Sequence, residues 1–214
     1  VIDICDDEND IANYGQWIYE DADGNAVKYS DLKHSFEDKK VLGNGLPNYY
    51  VGWTNNFRYK NWDLSITMRG AFDFQIANMQ RMMYENPTYT QYNLLKNAFD
   101  PVFDKTLLKS PHEFNSYYIE DGDYWKIDNI VLGFTIPKLN TKYIQSARIY
   151  LSSLNTLIIT GYKGIDPEVS LVPPGSSSQG GININSGVGL CPGIDNRDKY
   201  PTTRTFTLGF NITF

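Results

Sequence analysis

Tyr49-Tyr50-Val51-Gly52-Trp53-Thr54-Asn55-Asn56-Phe57-Arg58-Tyr59-Lys60, then Asn61, then Trp62-Asp63-Leu64-Ser65-Ile66-Thr67-Met68-Arg69-Gly70-Ala71-Phe72-Asp73, is the stretch that decides the fold. Up to Tyr59 the odd positions are Tyr49, Val51, Trp53, Asn55, Phe57 and Tyr59, and the even ones are mostly polar or small. After Asn61 the phase changes: Trp62, Leu64, Ile66, Met68, Gly70 and Phe72 alternate with Asp63, Ser65, Thr67, Arg69, Ala71 and Asp73. A period of two marks a strand with one apolar and one polar face. Two long strands, 49–60 and 62–73, joined by a tight turn at Lys60-Asn61, make a hairpin.

The same alternation recurs downstream. A strand predicted over 117–136 closes with Ile130, Leu132, Phe134 and Ile136 on one face, and Pro137 stops it. The next, 147–161, alternates cleanly at Ile149 and Leu151 and less cleanly above Leu154, which suggests a bulge near Asn155. The last, 200–214, places Phe206, Leu208, Phe210, Ile212 and Phe214 on one face and Thr205, Thr207, Gly209, Asn211 and Thr213 on the other. Between these five strands lie two long connections, 74–116 and 162–199, far beyond the ~12–15 residues usual for loops in compact domains. Short helices are expected at Ile76–Tyr84 and Tyr92–Phe99, ended by Pro87 and Pro101. The Pro173-Pro174-Gly175-Ser176-Ser177-Ser178 run reads as mobile, and the first 48 residues carry no sustained strand.

Composition supports a β-rich chain. Of 214 residues, 14% are aromatic, with 16 Tyr, alongside 17 Gly and 10 Pro, a mixture of strand formers and turn residues. A net charge of −6 argues against a nucleic-acid footprint. No apolar run approaches the ~18–20 residues of a membrane helix. The opening Val1-Ile2-Asp3-Ile4-Cys5 has neither an initiating Met nor a leader, so either a targeting segment was removed or this is part of a longer polypeptide. Two cysteines, Cys5 and Cys191, are too few for a disulfide framework or a cysteine metal site, although a single bridge between them is open.

Alternation alone fits a soluble β-sandwich as well as a membrane barrel. Three features favour the barrel. Several strands run to the ~9–11 residues that cross a bilayer at a tilt. Short turns alternate with very long loops, as when one rim faces the periplasm and the other the outside. Aromatics flank the turn (Tyr59, Trp62) and Phe214 closes the chain, as in an interfacial girdle. The fold expected is therefore all-β: an antiparallel transmembrane β-barrel segment with long extracellular loops and short periplasmic turns. Val51, Trp53, Phe57, Trp62, Leu64, Ile66, Met68, Phe206, Leu208, Phe210 and Ile212 face the membrane. Arg58, Lys60, Asp63 and Arg69 belong to a wet inner wall, being costly on the lipid side. With the short turns periplasmic, five strands run down, up, down, up, down. Five is odd and below the smallest barrel, so the chain is expected to be an incomplete barrel.

Several strings then resemble, in order, a known family. They are Gly43-Asn44-Gly45-Leu46-Pro47, Tyr59-Lys60-Asn61-Trp62-Asp63-Leu64, Glu120-Asp121-Gly122-Asp123-Tyr124-Trp125-Lys126-Ile127-Asp128-Asn129-Ile130, Tyr162-Lys163-Gly164-Ile165-Asp166-Pro167-Glu168, and Tyr200-Pro201 followed by Arg204-Thr205-Phe206-Thr207-Leu208-Gly209-Phe210. From about Leu42 to Phe214 the chain is similar to the C-terminal portion of SusC-like TonB-dependent transporters. The resemblance implies the last strands of a 22-stranded barrel in the cell outer membrane, plugged by an N-terminal domain absent from this chain. Residues 1–48 would be an extracellular loop region and preceding barrel segment, and 49–214 the C-terminal strands with extracellular loops 74–116 and 162–199. It also implies a SusD-like surface lipoprotein as lid, the TonB complex as energy source, and oligosaccharide or sometimes peptide cargo. Phe214 matches the C-terminal signal by which such barrels are recognised for assembly.

No catalytic constellation accompanies this, and the chain reads as no enzyme. His34 and His112 are far apart with no nucleophile suggested by spacing. Asp121 and Asp123 fit a turn cap, Asp166-Pro167-Glu168 a turn, and the Gly161 to Gly164 and Gly180-Gly181 runs lack the ending of a phosphate loop. Asn211-Ile212-Thr213 is a glycosylation triplet by pattern only. In Tyr19-Glu20-Asp21-Ala22-Asp23-Gly24-Asn25, glycine falls fourth from Asp21 and Leu32 twelfth, so an Asx-rich turn is expected over a calcium loop. No metal or cofactor is expected. Tyr84, Tyr89, Tyr92, Tyr117, Tyr118, Tyr124 and Trp125, in the extracellular half, are candidates to stack on sugar rings, with loop packing or lid contact as the competing role. The reading that follows is a glycan importer with a SusD-like partner. The alternatives are an oligopeptide importer of the same family, a soluble carbohydrate-binding β-sandwich, and a translocator or adhesin barrel.

Overall fold

Alternation at period two produces strands where expected, and local hydrogen-bonding side chains decide where they break. The computed structural model describes residues 1–32, 39–137, 144–169, 177–179, 182–184, 192–195 and 200–214. In chain order the strands are β1 (Asp3–Ile4), β2 (Trp17–Glu20), β3 (Ala26–Lys28), β4 (Tyr49–Tyr59), β5 (Trp62–Phe72) and β6 (Gln75–Asn78). After the helix α1 (Met79–Tyr84) come β7 (Ile119–Asp121), β8 (Tyr124–Thr135), β9 (Ser146–Thr160), β10 (Ser177–Gln179), β11 (Ile182–Ile184), β12 (Ile194–Asp195) and β13 (Thr205–Thr213). The chain forms two compact units, Val1–Leu46 with Gln75–Glu120 and Glu168–Lys199, and Pro47–Phe74 with Asp121–Pro167 and Tyr200–Phe214.

The second unit is built on a five-stranded antiparallel sheet in the order β13-β9-β8-β5-β4. Lys60 takes a φ of 53° in the two-residue turn between β4 and β5, the left-handed conformation such turns need. Between Thr67 and Met68 of β5, and between Ile127 and Asn129 of β8, the register shifts, and Asn155 of β9 has a φ of 50°. The bulge expected near Asn155 is therefore part of an irregularity shared by β8 and β9. Asp128, the extra residue on β8, pairs with Arg69 at 2.8 Å.

The predicted strand 117–136 is broken. Asn115 accepts the N–H of Tyr117 and sets a 3-10 turn at Ser116–Tyr118, so these two tyrosines are not in a strand. Asp121 then accepts the N–H of Asp123 at 3.0 Å, which separates β7 from β8. Likewise Tyr200–Arg204 stays irregular ahead of β13, where Pro201 has no N–H to give a ladder.

The first unit holds a core of Ile4, Trp17, Ala77, Met79, Met82, Val102, Leu108 and Tyr118, with Trp17 fully buried. Its sheets are β1-β2-β3 and β12-β6-β7, with β12 pairing in parallel on β6 and β10 pairing on β11. The helix expected at Ile76–Tyr84 starts only at Met79, because Gln75–Asn78 are taken into a ladder and Asn78 then caps the helix by accepting the Arg81 N–H. The second expected helix is reduced to a 3-10 turn at Lys96–Phe99; Asp100 is extended, as a residue before proline prefers. The run 173–178 lies in part outside the described residues, as do His34 and Cys191, and with Cys191 the question of a bridge to buried Cys5.

Candidate functional site: a two-faced sheet

Register carries the alternation across all five strands. Tyr59, Trp62, Phe134, Ile149 and Phe210 form one transverse row, and Phe57, Leu64, Leu132, Leu151 and Leu208 the next. Asn55, Ile66, Ile130, Ser153 and Phe206 follow, then Trp53, Met68, Ile127 and Leu157, and last Val51, Gly70, Trp125 and Ile159. On this face Trp62 packs on Phe134 at 4.7 Å between ring centres. Many of these side chains are uncovered: Leu208 is 63% and Phe210 65% exposed. That is the opposite of a sandwich, where an apolar sheet face packs on a second layer.

The reverse face is polar in the same rows. Arg58, Asp63, Gly133, Tyr150 and Gly209 lie across one, Asn56, Ser65, Val131, Ser152 and Thr207 across the next. Arg148 reaches over Gly133 and grips Asp63 with two donors, Nε at 3.0 Å and a shorter Nη2 contact, so β5, β8 and β9 are stapled together. Unpaired outer edges run along β4 and β13 among the described residues.

At the end of the sheet away from the Lys60 turn, the Glu120 to Ile130 string shows why it has its acids. Asp123 accepts the N–H of Asp73 at 2.6 Å, Asp73 has a left-handed φ of 61°, and Asn48 donates to the Asp73 carboxylate at 2.7 Å. Gly122 fits because a Cβ there would lie 2.5 Å from the Phe74 ring. Asp166, 4% exposed, accepts from the Thr202 hydroxyl, tying the Tyr162 to Pro167 turn to the approach of β13. Motif spacing signalled these strings; it gave no sign that Asp121 and Asp123 hold backbone N–H groups and Asp166 a threonine hydroxyl.

The seven aromatics singled out by sequence divide between the units, Tyr84, Tyr89, Tyr92, Tyr117 and Tyr118 in the first and Tyr124 and Trp125 in the second. Tyr117 and Tyr118 pack in the first unit's core around Trp17, with centroids 4.9 and 6.2 Å from it, and Tyr118 is 1% exposed. Tyr84 meets Tyr92 edge-on at 6.0 Å, and Tyr89 stacks on His112 at 3.4 Å. Tyr124 is buried edge-on against Phe74, whereas Trp125 lies on the apolar sheet face over Gly70. A residue the sequence did not single out is Arg81. It bonds Glu85 at 2.8 Å and Glu120 at 2.6 Å and sits 4.9 Å from the Tyr117 ring. Burial works against its charge, but the two carboxylates outweigh burial and hold its pKa above the ordinary value. Asp21 accepts from the N–H groups of Asp23 and Asn25, and Gly24 has a φ of 86°: an Asx-type turn closing β2 on β3. Among the described residues no group of three or more His, Cys, Asp or Glu could hold a metal.

No family model matches the chain. It is similar to TonB-dependent receptor P3 of Formosa agariphila, 28% identical over 206 residues, covering 94% of this chain and 19% of that protein. TonB-dependent receptor SusC of Bacteroides thetaiotaomicron is 27% identical over 209 residues, 92% of this chain and 17% of SusC. Among solved structures, the RagAB peptide importer in its closed-closed state superposes with a TM-score of 0.67 at 22% identity, covering 91% of this chain and 20% of that one. The chain thus spans about a fifth of the length of the proteins it matches. The sequence relatives are TonB-dependent receptors, and the solved transporter structures share this chain's fold, so both comparisons point to one class, the outer-membrane β-barrels. Within it, the chain is similar over most of its length to part of the TonB-dependent receptors, SusC among them.

Proposed function

We propose that this chain supplies five adjacent C-terminal strands of the barrel wall of an importer that moves oligosaccharides across the outer membrane beneath a SusD-like lipoprotein lid, driven by TonB. The observation that carries the wall assignment is the five-strand grid, apolar and uncovered on one side and polar on the other. Val51, Trp53, Phe57, Trp62, Leu64, Ile66, Met68, Phe206, Leu208, Phe210 and Ile212 then meet hydrocarbon, Trp125 joins them, and Phe214 serves as the assembly signal. The glycan reading rests on the resemblance of the ordered strings between Gly43 and Phe210 to SusC-like transporters, which implies oligosaccharide cargo. A second reading, oligopeptide cargo, takes its cue from the RagAB peptide importer, whose fold this chain shares. Of the candidate aromatics, Tyr92 is 40% exposed and Tyr84, Tyr89, Tyr117 and Trp125 are half-buried, whereas Tyr118 and Tyr124 are buried; Tyr92, Tyr84 and Tyr89 are our choice for contact with cargo or lid.

Two experiments test this. In the full-length protein, Leu208→Arg is expected to cost ~2–4 kcal/mol of barrel stability and Thr207→Arg far less, read from the denaturant midpoint in lipid vesicles. Equal costs at the two positions would refute a lipid side. Cargo is decided by growth of a deletion strain on single glycans against single peptides.

A further inference from the structure

Three glycines inside the five-stranded sheet are each covered by a large side chain of a neighbouring strand. Gly133 of β8 lies under the guanidinium of Arg148 and Gly209 of β13 under the ring of Tyr150, both on the polar face and both too close for a Cβ. Gly70 of β5 lies under Trp125, whose ring would be 2.7 Å from a Cβ. Glycine weakens a strand by its entropy and its missing side chain, and it is tolerated where something must approach the backbone closely. Gly52 of β4 breaks the pattern, with nothing within 4 Å. Its partner across β5, Arg69, turns the other way to Asp128 at 2.8 Å, so the inner neighbour leaves Gly52 bare.

We infer that Gly52 is the seat for a long polar-tipped side chain, of the arginine or tyrosine kind, carried by the strand that hydrogen-bonds the outer edge of β4. The two glycines on the same face are covered by such residues, one from the directly opposite position and one from two residues along. The occupant comes from the remaining polypeptide of a transporter about five times longer than this chain, because an open strand edge has no place in hydrocarbon. This rests on the barrel-wall reading, and the two can fail separately.

The test uses the full-length transporter in outer membranes. If the parent protein shows no heat-modifiable folded form, the barrel-wall reading itself fails. With the parent folded, Gly52→Phe is expected to lower the assembled fraction about fivefold or more through the clash, whereas Thr54→Phe on the same face of β4 stays near the parent level. Gly52→Cys, small enough to assemble, is expected to react with a bulky maleimide about tenfold more slowly than Thr54→Cys, above the parent's own labelling. Labelling at equal rates overturns the seat. So does a Gly52→Phe protein that assembles fully but imports nothing, since plug or cargo would then be what lies on the glycine.

Discussion

Asp3 and Lys105 show how one pair sets a titration in the first unit. The Lys105 ammonium, with the Ile4 N–H, holds the Asp3 carboxyl below its ordinary 3.8, and Asp3 holds Lys105 above its ordinary 10.5. The lowered acid contributes stability above its unfolded value and loses it as pH falls through the folded one. The raised base contributes below its unfolded value and loses it as pH climbs through the folded one. Both contributions are therefore intact between those limits. Lys105→Met is expected to move the Asp3 midpoint upward, part of the way to the ordinary value because the Ile4 N–H remains, followed by carboxyl-carbon NMR; an unmoved midpoint would place the whole shift on the backbone donor. Nothing in the sequence announced this pair, because its members are far apart in the chain and carry no motif.

At the scale of elements, β8 and β9 each have two strand partners and β4 and β13 one. In the isolated chain held in detergent, amides along the outer edges of β4 and β13 are expected to exchange about a hundredfold faster than those of β8, measured by hydrogen exchange with NMR detection. Uniform protection would mean that the edges are paired. The long strands were legible in sequence because one face had to be apolar over many residues, so Leu64, Leu208 and Phe210 could be placed on it by counting in twos. The breaks were not. Asn115, Asp121 and Asn78 redirect the backbone through single side-chain acceptors, a signal spread over two or three residues that apolar periodicity does not register.

For the molecule as a whole, what was missed was that the long connections fold. The sequence reading made 74–116 and 162–199 loops; parts of both, with the first 46 residues, build a unit with its own core. The contacts are long-range and only a handful of large residues carry them, so no local pattern betrays them. Trp17 is the centre: its backbone N–H donates to the Ser110 hydroxyl at 2.8 Å and its ring meets Tyr117 and Tyr118. Trp17→Ala is expected to cost ~3–5 kcal/mol and to strip exchange protection from β2, β6 and β12 together, although they are remote in sequence. Loss confined to β2 would mean that the three segments are not one cooperative body.

β12 lies beside β6 only after the polypeptide has passed through β8 and β9. Folding therefore has a built-in order: Ile4 and Trp17 leave the ribosome early yet wait for a ladder whose final rung is made more than a hundred residues later, so the first unit can close only after most strands of the second have been synthesised.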